Sequence, residues 1–84
     1  MNRKNHKILS RIFEKPTRPD IRWDDVKSLL IACGADFWEG SGSRVTFMLN
    51  NQVLGLHKPH PGKELRRYAV DLVRDFLTNL GVKP

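Results

Sequence analysis

The chain has 84 residues and a formal net charge of +6, because it contains 15 Lys and Arg residues and nine Asp and Glu residues. A composition of 39% hydrophobic and 29% charged residues excludes a disordered chain, and the length allows one small domain. The basic balance favours a polyanion as partner, which can be nucleic acid, an anionic membrane or an acidic protein. Nucleic acid is preferred over the alternative that the charge only serves solubility. The single cysteine, Cys33, excludes an intrachain disulfide and a zinc site built on cysteines.

The first twenty residues predict a basic helix and a linker. Between residues 5 and 15 the apolar residues fall on one helical face, and Pro16 and Pro19 disfavour the helical conformation just before them. We expect this helix to pack against the domain or a partner, because four apolar residues make a weak membrane anchor. The sequence shows neither the apolar region of a signal peptide nor a membrane span, so the cytoplasm is the expected location.

A second helix and three strands are predicted next. The helix should begin near Asp24 and end at Gly34, and ADFWE should form a strand with Trp38 on the face away from the core. The segment SRVTFMLNNQVLGLH predicts a hairpin, because Asn50 and Asn51 can both adopt the positive φ that a two-residue type I′ turn requires.

That turn determines which side chains of the hairpin share a face. It pairs Arg44 with His57 on the open face and buries the following residues: Val45, Phe47, Leu54 and Leu56. A last helix is predicted from about Lys63 to Leu80, with this apolar stripe: Leu65, Ala69, Leu72, Val73, Phe76 and Leu80. The chain is thus predicted to be an α+β domain, in which an extra N-terminal helix precedes an α-β-β-β-α order and the helices cover one face of a three-stranded antiparallel sheet.

Two motifs, GSGSRVTF before the hairpin and PHPGKEL after it, resemble those of the HicA family. HicA proteins are small toxins of bacterial type II toxin–antitoxin pairs, with the fold of double-stranded-RNA-binding domains. The resemblance divides the chain into an N-terminal extension at 1–20 and a HicA-like domain at 21–84. It implies a ribonuclease that cuts mRNA without depending on ribosomes, a HicB-like antitoxin that covers the active face, and a higher-order complex of the two. We expect this cleavage to need no metal or other cofactor.

The chain departs from the HicA pattern at one position. In the family, a histidine two residues past a Gly-Ser pair on the second strand carries catalysis. Gly42 and Ser43 match that pair, but Val45 stands where the histidine is usual. Valine cannot exchange a proton, so activity requires a relocated residue or is absent.

His57 is the candidate for the relocated role. RNA cleavage requires a base for the 2′-hydroxyl, an acid for the leaving 5′-oxygen, and cations near the phosphoryl oxygens. We therefore assign acid–base chemistry to His57 and phosphate binding to Arg44, which lies opposite it. N–H groups at the opening of the last helix, near Gly62, are expected to bind phosphate as well. The candidate RNA-binding residues are Ser43, Lys58, His60, Lys63 and Trp38.

Several of these residues have a second interpretation. His57 can be a solvated or partner-binding histidine, His60 a structural one, and Trp38 an anchor for the antitoxin. A zinc site at the two histidines is disfavoured, because no further ligand lies near them in sequence. Three arginines of the last helix either track phosphate or form a solvated face: Arg66, Arg67 and Arg74.

Two other functions stay open for the whole chain. One is a catalytically inactive module of the same fold that binds RNA or a protein. The other is a basic interaction module recruited through the N-terminal helix.

Overall fold

The computed structural model describes the whole chain, Met1–Pro84, and confirms the predicted fold class. Its elements are α1 (Arg3–Ile12), α2 (Trp23–Ala32), β1 (Asp36–Glu39), β2 (Arg44–Leu49), β3 (Gln52–His57) and α3 (Arg67–Asn79). The strands form one antiparallel sheet in the order β1-β2-β3. None of the helices combines the length and the apolar character needed to cross a bilayer.

Short local signals set the ends of the first two helices. The Asn2 side chain caps α1 by accepting a hydrogen bond of 2.7 Å from the N–H of Asn5. Asp24 and Asp25 lie in the first turn of α2, where carboxylates suit the helix dipole. Gly34, with φ of +99°, follows that helix, as predicted.

The β2–β3 hairpin has the predicted register. Asn50 and Asn51 have φ of 51° and 65°, so the strands are joined by two residues in the left-handed region. Val45 pairs with Leu56, and Arg44 pairs with His57. Alternate side chains therefore face the helices, as the buried residues of both strands show.

The core lies between the helices and this inner face of the sheet. It contains 18 buried apolar residues, drawn from all three helices, the two hairpin strands and the adjoining loops. Trp23, Phe37 and Phe47 contact one another, with ring centroids 5.0 to 6.2 Å apart. This aromatic cluster joins the start of α2 to β1 and β2.

Helix α1 packs on its own domain rather than projecting from it. Ile8, Leu9 and Ile12 are at most 5% exposed, and α1 contacts both α2 and α3. The expectation that this helix packs on the domain or on a partner is therefore met within the chain.

The last helix begins later than predicted, at Arg67 rather than Lys63. Residues 63–65 instead run beside the segment that precedes α2. The N–H of Trp23 donates to the carbonyl of Lys63 at 2.9 Å, and the N–H of Leu65 donates to the carbonyl of Ile21 at 2.8 Å. The prediction that helix N–H groups lie near Gly62 is therefore wrong.

The prediction that Leu72 belongs to the buried stripe of α3 is also wrong. Leu72 is 42% exposed, whereas Val70 and Leu77 are fully buried. The helix is rotated so that positions 70 and 77 face the core, and position 72 lies at the margin of the buried face.

Candidate active site

The outer face of the sheet is free of helices. Near its centre Thr46 of β2 pairs with Trp38 of β1 and with Gly55 of β3. Arg44 and His57 form the next pair on this face, at the end of the hairpin. The predicted position of the imidazole and the guanidinium, opposite each other on the open face, is confirmed.

Hydrogen bonds show which kind of pair Arg44 and His57 form. The N–H of Lys58 donates to the carbonyl of Ser43 at 2.7 Å. Because hydrogen-bonded and non-hydrogen-bonded pairs alternate along antiparallel strands, Arg44 and His57 form a non-hydrogen-bonded pair. This is the kind of pair in which the Cα atoms are closest, at about 4.5 Å. Both side chains can therefore act on one group.

Ser43 supports the His57 ring. Its Oγ lies 3.3 Å from Nδ1 of His57. A hydroxyl both donates and accepts, so Ser43 can donate to Nδ1 when that atom is unprotonated and accept from it when it carries a proton. The same neighbour thus fits both protonation states of an acid–base residue.

A cleft of about 270 Å³ opens between the end of β3 and the start of α3. The side chains that give it chemical character are those of Ser43, His57, His60, Arg66 and Tyr68. Two of these residues come from α3 or its cap. Of the other three, Ser43 precedes β2, His57 ends β3, and His60 lies in the loop that follows. The cleft is therefore assembled by the fold from separate parts of the chain.

A second hollow, of about 220 Å³, lies on the open face between Arg44 and His57. Gly55 contributes to its lining, and a Cβ added at Gly55 would meet no atom within 4 Å. A glycine inside a strand often marks a place where a ligand approaches the backbone. His57 borders both this hollow and the cleft, so it lies where the two meet.

The first turn of α3 adds possible anion donors to the cleft. Arg66 occupies the N-cap position, and no side chain there accepts a hydrogen bond from the helix. The N–H of Ala69 donates to the carbonyl of Arg66 at 3.0 Å, whereas the N–H groups of Arg67 and Tyr68 lack intrahelical partners and are free to bind a ligand. The start of α3 thus provides, at Arg67 and Tyr68, the feature expected near Gly62.

Residues 23–82 match the model of the family described as the HicA toxin of bacterial toxin–antitoxin. The chain belongs to the HicA toxin family. The matched residues run from the start of α2 to just past α3, so they include the sheet and the cleft, while α1 precedes them. Neither the curated proteins nor the solved structures give a match.

The position expected to hold a catalytic histidine lies on the wrong face of this HicA toxin for that role. Val45 is 1% exposed, beneath the helices, so a side chain at position 45 cannot reach a substrate on the open face. The neighbouring position on β2, that of Arg44, is exposed and borders the hollow. Arg44 is the only ionisable residue of β2, so an acid–base residue of this site must come from another part of the chain.

The predicted RNA-binding residues fall into different places. Ser43 and His60 line the cleft, and Lys58 also borders it. However, the ammonium of Lys58 forms an ion pair with Glu39, and this hydrogen bond lowers the pKa of Glu39 below its ordinary value. The charge of Lys58 is therefore already partly compensated.

The remaining two predicted residues lie outside the cleft. Lys63 is exposed, and its backbone carbonyl holds the start of α2 through Trp23. Trp38 is 47% exposed on the open face, one row along from Arg44. The roles of both in RNA binding stay predictions.

The three arginines of the predicted α3 stripe do not act together. The guanidinium of Arg74 binds the carbonyls of Ile12 and Glu14, and Arg67 binds the carbonyl of Thr17. Both hold the N-terminal extension. Arg74 is 13% exposed, so it fits neither alternative, a phosphate-tracking stripe or a solvated face, whereas Arg67 remains exposed. Arg66 alone faces the cleft.

Tyr68 was not predicted as a site residue. It is 56% exposed in the first turn of α3 and lines the cleft together with His57. An exposed aromatic residue directly after a basic, proline-containing loop is a signal that could have found it, because aromatic rings stack on bases.

No three His, Cys, Asp or Glu side chains lie close enough together to form a metal site.

Proposed function

We propose that this HicA toxin is an RNA endonuclease that cuts mRNA by metal-independent acid–base chemistry. The observation that carries the proposal is the position of His57. It lies between the hollow on the sheet face and the cleft, is supported by Ser43, and has Arg44 opposite. A phosphodiester that crosses the end of the hairpin would contact all three residues.

In this scheme His57 removes the proton of the 2′-hydroxyl. The 2′-oxygen then attacks the adjacent phosphorus, the bond from phosphorus to the 5′-oxygen breaks, and a 2′,3′-cyclic phosphate forms. The leaving 5′-oxygen takes a proton from His60, the second histidine of the cleft. Atoms and charge balance without any other reactant, since one proton leaves the 2′-oxygen and one reaches the 5′-oxygen.

Arg44 and Arg66 supply positive charge on two sides of the reacting phosphate. Neither forms an ion pair within the chain, in contrast to Lys58. Unpaired guanidinium groups can bind phosphoryl oxygens through two hydrogen bonds each. They stabilise the charge that grows on those oxygens as the bond to the 5′-oxygen breaks.

A HicB-like antitoxin is the proposed inhibitor, and mRNA the proposed substrate. The open face that carries Arg44 also exposes Trp38 at 47% and Val53 at 64%. Aromatic and apolar residues beside an arginine are typical of protein interfaces. A protein bound there would cover His57 and prevent access of RNA.

One observation favours a second candidate, a toxin-fold protein that binds RNA without cutting it. No histidine lies on β2, and position 45 is buried. If His57 does not exchange protons, the cleft would still present Arg66 and Tyr68, and the hollow Arg44, to an RNA strand.

End-labelled single-stranded RNA, incubated with the purified chain and EDTA, tests the proposal. We expect wild-type cleavage with 2′,3′-cyclic phosphate ends, and a rate lower by about 10²–10⁴ for His57→Ala. The matched control is His6→Ala, which removes an exposed histidine of α1 and should cleave normally. Arg44→Ala should lower both binding and rate.

The outcomes separate the candidates. Cleavage that His57→Ala leaves unchanged would contradict the assigned site. RNA retention without cleavage would select the non-catalytic candidate. Absence of RNA binding at low salt would leave an interaction module that recognises protein.

A further inference from the structure

We propose that the exposed face of α1 is a second RNA-binding surface, which holds the substrate strand outside the cleft. The face consists of Arg3, Lys4 and Lys7, and it lies before the residues that match the family. The inference rests on the proposed function in taking RNA as the polyanion. It does not depend on which residue of the cleft exchanges protons.

The charge of this face is uncompensated. Helix α1 contains four basic residues and no acidic residue. Only Arg11 has an ion-pair partner, Asp20 at 3.2 Å. Arg3, Lys4 and Lys7 are all exposed and form no ion pair. Arg3 and Lys7 are one helical turn apart, so they lie on the same side of the helix.

Helix stability does not account for these cations. Arg3 and Lys4 occupy the first turn of α1, where positive charge opposes the helix dipole. The first turn of α2 shows the stabilising alternative, since it carries Asp24 and Asp25. The basic residues of α1 thus stand where they weaken the helix, which points to a role in binding.

The buried face of α1 narrows the choice of partner. Its apolar residues, Ile8, Leu9 and Ile12, are covered by the domain itself. The helix therefore has no apolar face left to insert into a membrane or into the groove of a protein. What remains is charge alone, which binds a polyanion backbone, and the proposed function supplies RNA as that polyanion.

The size of the domain fits one strand on both surfaces. The whole chain measures 32 × 28 × 20 Å. OB-fold domains, which are also small and bind single strands, engage about 4–16 nucleotides. A strand of that length can occupy the cleft and continue over the outside of the domain.

The salt dependence of RNA binding tests the inference. The probe is a 2′-O-methyl RNA of about 20 nucleotides, which exceeds the largest expected site and lacks the attacking hydroxyl. Fluorescence anisotropy would measure its binding over a series of salt concentrations for the wild type and two matched variants. One is Lys4→Gln with Lys7→Gln. The control is Lys15→Gln with Lys83→Gln, which removes the same charge from exposed positions outside α1.

Each phosphate contact contributes about 0.7 to the slope of log affinity against log salt for a single strand. The α1 variant should therefore lose about 1.4 from the slope, while the control keeps the wild-type slope. Equal slopes in the two variants would overturn the inference. If the wild type itself binds no RNA, the proposed function fails instead.

Lys4→Glu separates a binding role from a structural one. An acidic residue in the first turn should keep or raise the thermal stability of the domain, because it suits the helix dipole. It should also weaken RNA binding more than Lys4→Gln does. Unchanged RNA binding by a stably folded Lys4→Glu variant would contradict the inference.

Discussion

The start and the middle of α3 use arginine in opposite ways. At the cleft, Arg66 occupies the N-cap position and faces solvent without an ion pair. Two turns later, Arg74 is 13% exposed and its guanidinium donates hydrogen bonds to four oxygens. We call this arginine and the residues it binds the α1–α3 joint: Ile12, Glu14, Thr17, Asp71 and Arg74. Paired cations hold the N-terminal extension, whereas unpaired cations remain available to a ligand.

The α1–α3 joint also supplies hydrogen-bond donors to the carbonyls at the C-terminus of α1. Nε of Arg74 donates to the carbonyl of Ile12 at 3.0 Å, and one of its terminal nitrogens donates to the carbonyl of Glu14 at 3.2 Å. The last carbonyls of a helix lack intrahelical partners, so the arginine caps α1 from another element. This explains why α1 packs on its own domain in a defined position.

The largest effect is expected where α1 is buried. Leu9→Ala should lower the free energy of unfolding by about 2–5 kcal/mol, because a leucine that is 1% exposed leaves a cavity when truncated. Chemical denaturation would measure it. The control Ile31→Ala truncates a residue that is 47% exposed on α2 and should cost far less. Equal losses would mean that α1 is not part of the core.

Arg74→Ala and Arg66→Ala compare the middle and the start of α3 directly. Arg74→Ala should lower the free energy of unfolding by about 2–3 kcal/mol, because it leaves the oxygens of the joint unpaired. Arg66→Ala should leave stability nearly unchanged and weaken RNA binding. Denaturation and RNA anisotropy on both variants would measure the two effects. A destabilised Arg66→Ala variant with normal RNA binding would reverse the assignment of these two arginines.

Sequence patterns predicted the parts of the fold that depend on local conformation. Asn50 and Asn51 determined the turn, and the turn determined that Arg44 faces His57. A helix stop at Gly34 followed in the same way from its backbone freedom. These features depend on a few adjacent residues, and the fold does not override them.

The errors arose where distant segments meet. The late start of α3 depends on backbone hydrogen bonds from residues 63–65 to residues 21–23, a contact that no local periodicity reports. The use of Arg74 depends on α1, which is 62 residues away along the chain at Ile12. Tyr68 enters the cleft only because α3 begins where it does. The elements of the site could thus be predicted, but not its full lining.

A smaller effect of opposite sign is expected at Asn5. This residue is 4% exposed on the buried face of α1, and its Oδ1 has no hydrogen-bond partner. Asn5→Leu keeps a similar branched shape and removes the unpaired polar atom, so it should raise the free energy of unfolding by about 1 kcal/mol. Chemical denaturation of Asn5→Leu and Asn5→Ala would separate the effect of removing the amide from the effect of the added apolar contacts. A less stable Asn5→Leu would contradict the prediction.

The smallest effect concerns paired charges at the surface of the linker. The hydrogen bond from Arg18 lowers the pKa of Asp20 from its ordinary value of 3.8 to about 2. Because the folded-state pKa is depressed, the carboxylate stabilises the fold above about pH 4, and this contribution disappears as the pH falls towards 2. Arg18→Gln should therefore melt slightly below the wild type at neutral pH, with the difference closing in acid. The pair is exposed, so the difference in melting temperature should be small.

Arg44→Gln is the control, because it removes an arginine without an acidic partner. In a melting series between pH 2 and 7, its difference in melting temperature from the wild type should not shrink in acid. If it did, the distinction between paired and unpaired arginines would not hold for stability.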